Sequence, residues 1–346
     1  HKLGKKVYVT LNVMPRQYEL GRLDLYLDEL NEARPDAVIV ADLGVFMRCR
    51  KRIPEIPIHI STQAATVNAE SCKAWYDMGA SRIVLARELS LSEISSIREN
   101  IPADLEIEAF VHGSMCVSFS GRCMLSEYYT GRDANRGECT QPCRWQYQFH
   151  EEKRPNEILT CEIHPEGSYI FGSKDLCMIE YLKELAQAGI NSFKIEGRMK
   201  SAYYTALVTN AYRIAMDNML KTFDFQPLLR ELDSVSHREY CTGYYFDRDM
   251  QNSQLAKDCG YIGEKSYLCT ILEYDSATRL AKCKQRNKFS IGETLEFITP
   301  GKCGQKFQFT EMYDEKMNPI SSCPHPQQIF YIKTDSELRS GDLIRK

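Results

Sequence analysis

Up to about residue 219, short apolar runs rich in β-branched residues alternate with segments of helical period, and this alternation restricts the fold more than any other feature. Lys6–Met14 reads as a strand and Gln17–Ala33 as a helix. Ala37–Ala41 is a strand followed by a short helix over Leu43–Arg50. Ile56–Ile60 is a strand followed by a helix over Thr66–Met78, with Val67, Trp75 and Met78 as apolar positions. Arg82–Ala86 is a strand, Ser92–Glu99 a helix that Ser90 is placed to cap, and Leu105–Val111 a strand. After an irregular stretch come a helix over Leu176–Ala188, a strand over Ser192–Glu196 and a long helix over Ala202–Met219.

Repeated strand–helix units imply an α/β fold in which helices cover a parallel sheet. Six such strands, plus two preceding units, complete a (β/α)8 TIM-like barrel that lacks its first units in this chain. An open doubly wound sheet is the alternative, but no glycine-rich dinucleotide fingerprint follows any strand. From about Cys259 the texture changes to turn-separated strands, which implies a small all-β domain, a closed barrel or a sandwich. The expected organisation is a barrel domain over 1–220 with an inserted segment 112–177, a helical connector over 221–258, and a small β-barrel domain over 259–346.

The chain has 346 residues and a formal net charge of −3, so a nucleic-acid partner must be met by a local basic patch rather than a global field. No run approaches the ~20 apolar residues of a membrane span, and no membrane partner is expected. The opening HKLGKKVYVTLNV has no initiator Met and runs almost directly into a strand, which suggests a start partway through a longer natural protein. With no apolar signal segment there and 14 cysteines, a reducing cytoplasm is the expected location.

The irregular stretch holds Cys116, Cys123, Cys139 and Cys143 in the spacing C-x6-C-x15-C-x3-C. Converging thiolates are soft ligands and favour zinc or an iron–sulfur cluster. The spacing matches neither paired zinc knuckles nor the ferredoxin run, so a site assembled inside a larger fold is expected. The alternatives are buried cysteines acting as small hydrophobes, and a disulfide framework, which suits much smaller secreted domains.

Parallel barrels carry chemistry at the C-terminal ends of their strands. Those positions hold Asn12, Asp42, Ser61, Thr62, Gln63, Arg87, His112, Glu196, Gly197 and Arg198. Asp42 equally suits a helix N-cap, and Gln63 a loop-satisfying role. His112 is either a general acid–base or a hydrogen-bonded structural histidine. Lys194 and Glu196 share one strand face, and Arg198 follows with a planar fork suited to carboxylate or phosphate. Glu108 also points inward and needs a partner, for which Arg198 is the candidate. No zinc-protease, serine-hydrolase or phosphate-loop motif is present.

Glu108–Trp145 (EAFVHGSMCVSFSGRCMLSEYYTGRDANRGECTQPCRW), YIFGSKDL at Tyr169–Leu176, FKIEGRMK at Phe193–Lys200, STQAATVN at Ser61–Asn68 and QRNKF at Gln285–Phe289 together resemble the collagenase-like peptidase family (peptidase family U). Within it the chain is most similar to the prephenate-dependent tRNA uridine hydroxylases. The resemblance implies oxygen-independent formation of 5-hydroxyuridine at the tRNA wobble position, with prephenate as cosubstrate. It also implies a 4Fe–4S cluster on Cys116, Cys123, Cys139 and Cys143, with Cys161 or Cys177 in reserve for the fourth place. For this activity the strand-end reading supplies His112, Glu108 and Glu196 as the expected catalytic groups, and Gln63, Arg87, Lys194 and Arg198 as the expected substrate-binding groups. Arg122, Arg132, Arg136 and Arg144 are expected to meet RNA phosphate, while Tyr128, Tyr129 and Trp145 either stack on an unpaired base or pack in the core. Lys282, Lys284, Arg286 and Lys288 give the last domain a basic face, a tRNA surface or a solvated strand. A homologous partner subunit is possible within the resemblance. A peptidase, or a non-catalytic RNA-binding subunit, is the alternative function.

Overall fold

The computed structural model describes residues 1–116, 118–120, 123–145, 173–246, 262–263 and 265–346. They fall into two compact units. The first runs to Glu196 and takes up the chain again from Arg238; the second holds Gly197–His237 and the C-terminal region.

The first unit opens with β1 (Tyr8–Leu11), α1 (Leu20–Ala33), β2 (Ala37–Val40), α2 (Leu43–Arg52), β3 (Ile58–Ile60), α3 (Ala69–Asp77), β4 (Arg82–Val84), α4 (Leu91–Glu99) and β5 (Glu106–Ser114). These five strands pair in parallel and in chain order. All four residues of β2 are buried, as a strand covered on both faces requires. Local chemistry sets each turn from strand to helix. The Asp42 carboxylate accepts from Val45 N at 2.9 Å to start α2, and Asn68 Oδ1 accepts from Ser71 N at 2.8 Å to start α3. Ser90 and Glu93 form a reciprocal capping box on α4. Each such cap is worth about 1 kcal/mol.

Beyond β5 come α5 (Leu125–Thr130), β6 (Asp175–Cys177), α6 (Leu182–Gln187) and β7 (Ser192–Ile195). Besides β4, the nine-residue β5 serves two further partners. β7 pairs with its Glu108–His112 stretch in parallel, across a bulge, and β6 pairs antiparallel with His112–Ser114. The helix expected over Leu176–Ala188 therefore begins only at Leu182, after a 3-10 turn over Ile179–Tyr181. A tertiary partner overrides the local pattern here. The buried Asp175 carboxylate accepts from Arg238 Nε at 3.0 Å and from Arg238 N at 3.2 Å, which holds β6 as a strand. Gly113 permits the crossing of β5 and the end of β7. At φ +109°, an added Cβ would lie 2.4 Å from Glu196 O.

The pairing path runs from β1 to β6, with β7 beside β5. Among the described residues no pairing joins β1 to β7, so the parallel sheet is open on that side and the expected closed barrel is not observed.

The second unit contains α7 (Ala202–Asn218) and α8 (Gln226–Asp233), the latter the one helix in the described part of the expected connector. In the first unit, β8 (Tyr240–Cys241) adds to β6. The second unit continues with β9 (Tyr267–Asp275), β10 (Leu280–Gln285), β11 (Leu295–Ile298), β12 (Gln305–Phe307), β13 (Glu311–Asp314), β14 (Ile329–Lys333) and β15 (Leu343–Arg345). These form one antiparallel sheet in the order β12-β11-β15-β9-β10-β14-β13. It curls around a single apolar core that includes Leu268, Ile271, Phe289, Phe307, Phe330 and Ile344. Its two ends are β12 and β13, so it is neither a closed barrel by pairing nor a two-sheet sandwich. The buried Arg345 donates to Glu231 at 2.7 Å, to Glu296 at 2.9 Å and to Ser234 at 2.9 Å, which ties α8 to the sheet.

Candidate functional site

Registered residues on neighbouring strands share a face, and one face of the parallel sheet is polar. Glu108 on β5 is buried. Its carboxylate accepts from Lys194 Nζ at 3.0 Å, Arg82 Nη1 at 3.1 Å and Ser192 Oγ at 2.9 Å. Burial alone would raise its pKa, but the Lys194 charge, the hydrogen bonds and Arg82 outweigh that and leave it lowered. The partner expected for Glu108, Arg198, is not the one found; Arg198 is exposed and falls in the second unit. Arg82 also pairs with Glu106 at 2.6 Å and lies over the Tyr8 ring at 5.4 Å. His59 packs edge-on to Tyr8 at 4.9 Å. Burial, followed by the Arg82 charge, pushes His59 down to about 4, so it is neutral at physiological pH.

Above this network stands Phe110, with Arg87 over its ring at 5.0 Å and Lys194 at 5.4 Å. Arg87 also donates to Ser114 O at 2.9 Å. Two cations thus flank one aromatic ring, Lys194 with its charge met by Glu108. Gln63 Oε1 accepts from Asn12 Nδ2 at the neighbouring strand ends. Asp42 takes the capping role. His112 is only 1% exposed and its ring packs at 5.3 Å from Tyr240. Glu196 is half-buried, and its backbone N–H donates to His112 O at 2.8 Å.

The cysteine segment leaves the top of β5. The Cys116 and Cys123 thiols are hydrogen-bonded. This bond, with help from Ser118 and the N–H groups of Leu125 and Ser126, pushes Cys123 down to about 5; the same bond and burial push Cys116 up. Cys139 Sγ accepts from Gln141 N at 3.3 Å. All four cysteines are partly exposed and free of disulfides, as is Cys177, whose β6 position is registered against His112. Among the described residues no three His, Cys, Asp or Glu side chains gather closely enough to hold a metal ion. Soft thiolate donors, an acidic thiol and an N–H···S bond fit an iron–sulfur group in chemistry. In geometry, the Cys116–Cys123 pair is brought together. Cys161 and Arg122 lie outside the described residues, as does the Arg144 side chain.

Tyr128 is 82% exposed, Tyr129 45% and Trp145 40%, which rules out the core-packing alternative. The Tyr128 and Tyr129 rings meet edge-on at 5.1 Å, and Tyr129 meets Trp145 at 6.0 Å. Arg132 is exposed. Arg136 instead makes a two-pronged pair with Glu19, whose pKa falls to about 2 through that bond and the Arg16 N–H. Sequence reasoning missed Arg82, His59 and Tyr8 because it read only the C-terminal strand ends. The signal available was polar residues at alternate strand positions, Glu106 with Glu108 and Ser192 with Lys194.

The model of peptidase family U32 matches residues 1–255, and that of the peptidase family U32 C-terminal domain matches residues 264–345. The chain belongs to this family. It is 34% identical over 349 aligned positions to tRNA hydroxylation protein P1 of Bacillus subtilis (strain 168), covering 100% of this chain and 82% of that protein. It is 37% identical to tRNA hydroxylation protein P of Escherichia coli (strain K12), covering 87% of this chain and 75% of the relative. It is also 37% identical to the 23S rRNA 5-hydroxycytidine synthase of Escherichia coli (strain K12), over 64% of this chain and 32% of that protein. Among the described residues no helix is long and apolar enough to cross a membrane.

Proposed function

We propose that this chain is an RNA-modifying hydroxylase that converts a tRNA wobble uridine to 5-hydroxyuridine. The reaction replaces C5–H with C5–OH, a two-electron oxidation with prephenate as oxygen donor. The observation that carries this reading is the exposed Tyr128, Tyr129 and Trp145 group on the same segment as the cysteines. Solvent-facing rings offer a stacking platform to an unpaired base. The names of the Bacillus and Escherichia relatives, matched along most of both chains, support tRNA as the substrate.

Arg87 and Lys194, flanking Phe110, bind the carboxylates of prephenate in this scheme, and Glu108 fixes Lys194. Gln63 and Glu196 border the site in this scheme. Cys116, Cys123, Cys139 and Cys143 would hold a 4Fe–4S cluster, with Cys177 or Cys161 as alternatives for the fourth place. Such a group supplies electron transfer or Lewis acidity when bound. The polar face is that of the open parallel sheet, and in this scheme the protein works in the cytoplasm, where its tRNA is found.

The test is mass spectrometry of tRNA nucleosides from a deletion strain complemented with the full-length protein. Complementation should restore 5-hydroxyuridine, and anaerobically purified protein should be brown with absorption near ~400 nm. Unchanged nucleosides on deletion would remove the hydroxylase reading. Cleavage of gelatin by wild type but not by Cys116→Ser, after removal of trace proteases, would replace it with the peptidase.

A further inference from the structure

The solvent face of the C-terminal sheet carries a cationic row that the proposed reaction does not use. On β10, Ala281, Cys283 and Gln285 are buried in the apolar core, so Lys282 and Lys284 point outward. Strand register places Tyr313, Tyr331 and Lys282 side by side across β13, β14 and β10. Neighbouring strands lie about 4.8 Å apart, so the two rings and the ammonium form one continuous strip.

The QRNKF motif extends the strip. Gln285 Nε2 donates to the buried Cys323 O at 3.2 Å, Asn287 Nδ2 donates to Tyr267 O at 2.6 Å, and Phe289 is buried among the core aromatics. The backbone N–H groups of Arg286 and Asn287 both donate to Leu268 O. Three anchored residues thus hold the turn and leave Arg286 and Lys288 exposed between them. Among the described residues, no ion pair or hydrogen bond engages the side chains of Lys282, Lys284, Arg286 or Lys288. Glu273 lies opposite Lys282 without closing a pair, whereas Lys333 at the strip's edge is paired with Glu311. A solvated strand needs no such presentation. Four uncompensated cations beside two outward tyrosines match a polyanion that also offers flat rings.

We propose that this face docks RNA, the cations meeting backbone phosphates and Tyr331 and Tyr313 meeting sugar or base; the assignment rests on the RNA reading above. The test uses the full chain. Fluorescence anisotropy with unmodified tRNA is recorded across salt concentrations for wild type and for the quadruple variant Lys282→Gln, Lys284→Gln, Arg286→Gln and Lys288→Gln. Loss of four phosphate contacts should raise Kd at least ~10-fold at about 0.1 M salt and flatten the log–log salt slope by about 3. Lys282→Arg, Lys284→Arg and Lys288→Arg together should retain affinity, and unchanged thermal unfolding shows that each variant is folded. The proposal is overturned if the quadruple variant binds tRNA with the wild-type slope, if wild type binds no tRNA, or if the variant loses a protein partner while keeping tRNA. Nucleoside analysis of the deletion strain judges the activity separately. Intact variant binding alongside lost 5-hydroxyuridine on deletion rejects this surface and leaves the hydroxylase reading standing.

Discussion

The two sheets treat the same residue types in opposite ways. In the C-terminal sheet Cys269, Cys283 and Cys323 are fully buried among aromatics, and burial raises Cys269 and Cys323, the latter to about 11. Beside the parallel sheet, Cys116, Cys123, Cys139 and Cys143 are all partly exposed, and Cys123 is driven down. Charges follow the same division. Lys282 and Lys284 face water outside an apolar core, while Glu108, Arg82 and Lys194 meet across the polar face of the parallel sheet. Environment, not composition, separates a packing thiol from a reactive one.

The largest expected effect would come from crossing the thiol sets. Cys116→Ser or Cys123→Ser should abolish 5-hydroxyuridine and bound iron, measured by nucleoside mass spectrometry and metal analysis. Cys283→Ala should keep both and lose only about 1–2 kcal/mol of stability. Equal loss of activity from the two sets would erase the contrast. Next come the charges. Glu108→Ala removes the carboxylate that Lys194 and Arg82 share, leaving Arg82 with Glu106 alone, and should cost about 3 kcal/mol in denaturant unfolding. Lys284→Ala should stay within about 0.5 kcal/mol.

His59 tests the same contrast through pH. Its folded pKa of about 4 lies below the usual ~6.5, so the unfolded chain takes up a proton first as pH falls. The stability is present above about pH 6.5 and lost as pH falls towards 4, by at most about 3 kcal/mol. His59→Phe should flatten that limb of a stability–pH curve. The smallest expected effect is on binding. Tyr128→Ala should lower tRNA affinity by about 1–3 kcal/mol, seen in anisotropy, with no change in unfolding midpoint.

Much of this was legible in the chain. Asp42 and Ser90 announced their caps, and the apolar runs announced five parallel strands, because both are local signals. Three features were not. The strand at Asp175–Cys177 depends on Arg238, 63 residues away. The Glu108 partners required the register of β4, β5 and β7, which no single segment encodes. The exposure of Tyr128 and Tyr129 could not be told from core packing, since aromatic residues serve either role.

The pairing of β5 with β6 has a consequence for how the family can vary. Ser114 and Asp175 are registered partners, and Ser173 Oγ donates to Met115 O at 2.9 Å. The long excursion that bears the cysteines is therefore stapled shut at its base by the sheet itself. Because closure entropy grows only slowly with loop length, residues can be added to or removed from that excursion with little penalty to the scaffold beneath. A chimera exchanging only this excursion between relatives should fold.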